Sequence, residues 1–305
     1  MSAEMMPAPA VLTWAEEHAS FEVIAVSAVG GGITETKWRL RLSNGEQLAL
    51  RWADPRRWGE VGREHVRREA SACSLLADSV SQVPRLVAAD PTGEAAGGPA
   101  CLMEWRRGAT RLDPLSPAGV SDLARAAVAI HGQRPPPGDR PPRFSYRGPA
   151  RLEVPGWSRR PELWHRAIEI RRAGEPATPH GLIHRDFHLG NLLWRGDETA
   201  AVVDWAETSW GPSDLDVAHM CADFAMLHSV AEAQTFRETY VAQGGVLDPD
   251  PYAARYWVVS DILGFLPDPA HIIPGLARLR PDVTPERVRS GIEDFLALAL
   301  EHWSA

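Results

Sequence analysis

His184-Arg185-Asp186-Phe187-His188-Leu189-Gly190-Asn191, followed by Ala200-Ala201-Val202-Val203-Asp204-Trp205, is the stretch around which the rest of the chain is read. The first part has the spacing H-R-D-x-x-x-x-N, and thirteen residues past Asn191 a β-branched run ends on a single carboxylate, Asp204. An Asp to take a hydroxyl proton, with an Asn and a second Asp to hold Mg²⁺, are the minimum parts for phosphoryl transfer. The chemistry explains the residue types. A phosphoryl transition state spreads negative charge over oxygens, so metal and positioning do most of the catalytic work. Mg²⁺ prefers oxygen donors and takes one or two protein groups beside phosphates and water.

A plain turn can also carry His, Asp and Asn, because these residues satisfy backbone groups in turns. Turn chemistry does not account for Asn191 at that offset, the apolar Leu192-Leu193-Trp194 behind it, or Asp204 at a strand end. Zinc at His184 and His188 fails on donor type, since carboxylates and Asn dominate and no Cys is near.

H-x-D-x-H-x-x-N, then V-V-D-W, then Gly211-Pro212-Ser213-Asp214-Leu215-Asp216-Val217-Ala218 resemble the aminoglycoside phosphotransferase/choline kinase-like family of small-molecule kinases. His188 and Trp205 favour that family over protein kinases, which would show D-F-G and A-P-E. The resemblance implies an α+β, bilobal protein-kinase-like fold. A small antiparallel-sheet lobe over 1–103 binds nucleotide, 104–110 is a hinge, and 111–305 is a helical lobe for catalysis and the acceptor. It implies ATP and Mg²⁺ as cofactors, Asp186 as catalytic base, and Asn191 and Asp204 as metal ligands. Under it His184 pins the loop and Asp216 buttresses it, while His188 is open between a packing and a site role.

With 305 residues there is room for two lobes with real cores. Hydrophobic content of 44% and charged content of 24% are those of a globular protein. A net charge of −8 gives no basic footprint for nucleic acid and is compatible with a cationic substrate. Cys73, Cys101 and Cys221 are too far apart for a disulfide framework or metal spacing, which suits a reducing cytoplasm. No signal peptide or membrane span is read. Oligomeric state is not legible.

Along the chain, a short helix over Leu12–His18 precedes a strand over Phe21–Val29 that stops at Gly30-Gly31-Gly32. Period-two alternation marks a second strand over Thr34–Leu42, Asn44-Gly45 a turn, and Gln47–Trp52 a third strand. Gly30, Gly31 and Gly32, in the first of these turns, permit close backbone approach to phosphates, although a mobile hairpin tip has the same composition. The resemblance places a phosphate-binding Lys at Arg51; this chain has Arg, which keeps the charge and changes the geometry. If Arg51 does not serve the nucleotide, Lys37 or another cation must. Asp54–Gly62 reads as a loop and Val61–Val80 as a helix carrying Glu69, the expected partner of Arg51, with Glu60 and Glu64 as competitors. Ala100–Trp105 is the last strand of the first lobe, and Met103, Glu104 and Trp105 lead into the hinge that would meet the adenine.

The second lobe starts with a helix over Ser121–His131, in which His131 is structural. A proline-rich excursion over 133–156 and a helix over Pro161–Arg172 follow. Ser213–Tyr240, Asp250–Leu266 and Arg287–His302 read as helices. Glu207, Asp261 and Asp268 are acidic groups where such enzymes bind their acceptor, which suits an amine-bearing alcohol. A sugar, a choline-like or homoserine-like metabolite or a macrolide are the other acceptors, and a nucleotide-binding pseudokinase is the alternative from another class.

Overall fold

The computed structural model describes residues 6–29, 36–146 and 148–303. Gly30, Gly31 and Gly32 lie outside the described residues. The chain forms two compact units, the first drawn from residues 1–108 with 200–208, the second from 109–199 and 209–305.

In the first unit, helix α1 (Pro9–Ala19) starts on a proline and ends at Ser20, whose left-handed φ of 59° lets its N–H reach Glu16 O. Strands β1 (Val23–Val29), β2 (Thr36–Leu42) and β3 (Gln47–Trp52) form the predicted meander. With β4 (Leu86–Asp90) and β5 (Ala100–Glu104) they make one sheet, antiparallel throughout, in the order β1-β2-β3-β5-β4. Along β2 the buried residues are Trp38, Leu40 and Leu42, and the alternate Arg39 and Arg41 are exposed. Trp38 lies opposite Leu50 and Leu40 opposite Leu48, so one face packs with Val11 and Trp14 of α1. Each such fully buried side chain contributes roughly 1.5–3 kcal/mol.

Helix α2 (Pro55–Leu76) corrects the loop expected over Asp54–Gly62. Asp54 caps it, accepting Arg56 N–H at 2.9 Å, and Pro55 occupies the first turn, where its missing N–H costs nothing. The pair that suggested a loop is a helix start. Gly59, at φ 46° and ψ −125°, breaks the helix, and beyond it Gly62, Val66, Glu69, Cys73 and Leu76 form the buried face.

The second unit begins with α3 (Pro117–His131), capped by Ser116. In the proline-rich segment after it Phe144 is buried, its N–H donates to Trp210 O, and Trp210 N–H donates to Pro142 O. Helix α4 (Pro161–Ala173) and strand β6 (Gly181–Ile183) lead to the loop at 184–191. Strand β7 (Leu192–Arg195), a turn at Gly196 and strand β8 (Glu198–Val202) carry the chain on to 204. Strand β9 (Ser209–Gly211) returns to pair with β6. Then come α5 (Ser213–Leu227), α6 (Val230–Ala242), α7 (Pro251–Gly264), the short α8 (Ile273–Leu276) and α9 (Pro285–His302). The helical stretch expected over Ser213–Tyr240 is divided into two helices. The first ends at the cap residue His228, and Ser229 caps the next, accepting Glu232 N–H, so capping chemistry overrides the apolar periodicity. Among the described residues no helix is long and apolar enough to cross a membrane.

Candidate active site

In the second unit the loop after β6 is held by backbone hydrogen bonds to buried carboxylates. Asp216, at the start of α5 and fully buried, accepts the N–H groups of His184 and Arg185 at 2.7 Å each, one on each oxygen. His131 reaches the same carboxylate at 3.1 Å and bonds the Tyr240 hydroxyl through its other nitrogen. Burial alone would raise the Asp216 pKa, but the bonds and charge of His131 and His184 hold it below the usual carboxylate value. Asp223, two turns further along α5, accepts Leu189 N–H at 2.9 Å. His184 is completely buried and accepts Asp186 N–H at 3.3 Å.

This scaffold presents Asp186, with its side chain 33% exposed. Asn191 Nδ2 donates to the Asp186 carbonyl at 2.9 Å and to its carboxylate at 3.0 Å, which leaves the amide oxygen as the hard donor for a cation. His188 caps the turn, accepting Gly190 N–H at 3.1 Å, and its other nitrogen stands 3.7 Å from Asp186 Oδ2. The residue that sequence reading missed is His219 on α5. Its Nε2 stands 3.8 Å from Asp186 Oδ1, and its Nδ1 meets the Asp261 carboxylate at 3.2 Å. Burial would lower the His219 pKa, but Asp261 and Asp186 raise it above its usual value. The available signal was position: His219 follows Asp216 by three residues, hence on the same side of one helix.

In the first unit Asp204 adopts a left-handed backbone, φ 67° and ψ 63°. Among the described residues only Ser20, Arg185 and Asp204 are non-glycine residues with positive φ. Such backbone costs of order 1–3 kcal/mol and gathers at functional sites. The Asp204 carboxylate receives Lys37 Nζ at 2.8 Å on one oxygen and an Arg51 guanidinium nitrogen at 2.7 Å on the other. Arg51 also donates to Glu69 at 2.9 Å, and the side chains of Arg51 and Glu69 are each 2% exposed. Burial works against the Arg51 charge, but Asp204 and Glu69 outweigh it and raise its pKa above the ordinary value. Glu64 and Glu60, the competitors for Arg51, are engaged elsewhere: Glu64 with Arg67 and Arg68, Glu60 with Arg63. Lys37 and Arg51 are directly paired across β2 and β3.

Other candidates are placed as follows. Met103 is buried, its sulfur 3.8 Å from Cys73 Sγ. Two amide donors of the expected hinge are used within the sheet, Glu104 N–H by Arg85 O at 2.8 Å and Trp105 N–H by Gln47 O at 3.2 Å. Trp105 carries the Arg39 guanidinium 5.5 Å from its ring centre. Glu207 lies 3.5 Å from His65 and 3.9 Å from Arg68. Asp261, 4% exposed, is engaged by His219 and stands 3.6 Å from Arg185. Asp268 caps the turn at Ala270 and accepts from Arg289 at 3.1 Å.

The chain matches the model of the Phosphotransferase enzyme family over residues 25–257. No curated protein matches its sequence. Solved structures do. A spectinomycin phosphotransferase in complex with ADP and spectinomycin is 14% identical, with 97% of this chain and 98% of that one covered and a TM-score of 0.61. A macrolide 2′-phosphotransferase from Brachybacterium faecium, as apoenzyme, is 16% identical over 97% and 99% of the two chains, with a TM-score of 0.56. The apo form of a thermostable mutant of an aminoglycoside phosphotransferase is 16% identical over 95% and 100%, at 0.58. At these identities the likeness is one of fold: α+β and protein-kinase-like.

Proposed function

Because the chain belongs to the Phosphotransferase enzyme family, whose members are ATP-dependent small-molecule kinases, we propose that Asp186 accepts the proton of the acceptor hydroxyl as it attacks the γ-phosphate. One observation carries this reading. Asp216 fixes the two N–H groups before Asp186, and Asn191 ties to its carbonyl and carboxylate, so a part-exposed carboxylate is held on immobilised backbone. Pre-organisation of this kind is what positions a nucleophile.

Asn191 and Asp204 are the residues that would hold Mg²⁺, as hard oxygen donors; the ion would neutralise phosphate charge. Arg51 and Lys37 divide the work of the usual single lysine. Arg51 is almost fully buried and tied to Glu69 and Asp204, so it holds strand, helix and carboxylate in register. Lys37, 24% exposed, is the cation able to turn from Asp204 to an incoming phosphate. The free, buried thiols of Cys73, Cys101 and Cys221 support a cytoplasmic setting.

The acceptor is a small hydroxylated molecule, an aminoglycoside-type antibiotic first, with macrolides, sugars and choline-like or homoserine-like alcohols behind it. The preference for an amine does not draw on Glu207, Asp261 or Asp268, each of which has an arginine of this chain within 4 Å: Arg68, Arg185 and Arg289. Purified protein with γ-labelled ATP and Mg²⁺ should transfer label to a member of a panel of these classes. Nucleotide binding with no label on any acceptor would instead identify a pseudokinase.

A further inference from the structure

The second unit contains a cavity of about 160 Å³ with an unusual lining. Three arginines line it, Arg143, Arg171 and Arg185, against a single acidic residue, Glu175, which is bonded to Arg143. Its walls include the rings of Tyr146, Tyr256 and Trp257. The Arg171 guanidinium carbon lies 4.4 Å from the Tyr146 ring centre and 5.3 Å from that of Tyr256, and the group donates to the Tyr256 hydroxyl. Arg185 is 7% exposed and stands 3.6 Å from Asp261. Its Nε, the Arg171 Nε and the Tyr146 hydroxyl are buried and have no hydrogen-bond partner among the described residues.

Buried donors on permanently charged groups are normally satisfied, and those left over identify what the site accepts. A guanidinium fork matches the two oxygens of a carboxylate or the face of a phosphate, and pre-oriented arginines lose little freedom in binding them. Aromatic walls suit a small apolar body behind the anionic head. An amine is excluded by the same three charges. The space is that of several waters, at the ~30 Å³ each occupies in the liquid.

We propose that the cavity lined by Arg143, Arg171 and Arg185 is a binding site for a small organic oxyanion, a carboxylate or phosphate on a compact, preferably aromatic, body. The site adjoins the loop of Asp186 through Arg185, but its chemistry does not depend on nucleotide. Its failure and the failure of the kinase reading are therefore separable.

Calorimetric titration of the full chain without nucleotide tests this, with benzoate, inorganic phosphate and benzylammonium as probes. Saturable binding of benzoate or phosphate is expected, the tighter of the two identifying the head group, and benzylammonium should not bind. Arg171→Met, which keeps the stem and removes the charge, should weaken the anion roughly tenfold or more. Should that variant not fold, the more exposed Arg143→Gln gives the same readout. Absence of anion binding, equal binding of benzylammonium, or unchanged affinity in both variants overturns the proposal.

Discussion

Arg51 donates to Glu69 at 2.9 Å where neither side chain is more than 2% exposed, so strand β3 and helix α2 are joined by a buried ion pair. Removing one partner strands the other charge away from water. Arg51→Met should therefore destabilise the protein by about 3–5 kcal/mol, and Arg51→Lys by less, since it keeps a cation for Glu69 and Asp204. Urea unfolding of the three proteins checks the order; equal midpoints for Met and wild type would show that the pair contributes nothing.

Asp186→Asn keeps the shape of the loop and removes the proposed proton acceptor. Turnover should fall on the order of 10²–10⁴-fold while MgATP affinity stays near wild type. Single-turnover label transfer and nucleotide titration read the two quantities separately. Retained transfer would mean that another group takes the proton.

Asp216 receives His184 N–H and Arg185 N–H on separate oxygens. The single carbonyl oxygen of Asn can serve only one of them. Asp216→Asn should cost about 1–3 kcal/mol for the orphaned donor, and turnover should drop although the residue touches no reactant. Denaturation and steady-state kinetics on the same preparation test both effects.

Burial pushes the Asp214 carboxyl up from its usual 3.8 to about 6, with Asp248 nearby adding to the rise. A raised folded-state value means that the native protein binds the proton more tightly than the unfolded chain. The resulting stability is present in full below pH 3.8 and is lost as pH rises through about 6. Asp214→Asn should remove that dependence and gain up to roughly 3 kcal/mol at pH 7. Urea midpoints across pH 4–8 for both proteins provide the measurement, and parallel curves would contradict it.

Gly291 of α9 packs against α5, and a Cβ there would lie 2.3 Å from Ala225 O and 2.7 Å from Met226 Cα. Backbone cannot yield as a side chain does. Gly291→Ala should cost about 1–3 kcal/mol despite the better helix propensity of Ala. Gly264, where a Cβ meets nothing within 4 Å, is the control; Gly264→Ala should be tolerated in the same thermal melts.

The sequence by itself determined the meander of β1 to β3, the loop at 184–191 and the strand leading to Asp204, because these depend on local patterns. Alternation fixes which face of β2 is buried, and the H-R-D-x-x-x-x-N spacing marks a loop over a few residues. Local signals misled at Asp54-Pro55, where a cap and a first-turn proline have the composition of a loop, and at Ser229, where a cap divides an apolar run. Only the tertiary structure decided that Lys37 and Arg51 share Asp204, that His219 stands beside Asp186, and that Asp261 is engaged inside the protein. It also gathered Arg143, Arg171 and Arg185 around one cavity. Those relationships join residues from different elements, and an ion pair or cavity wall depends on packing that no local pattern encodes.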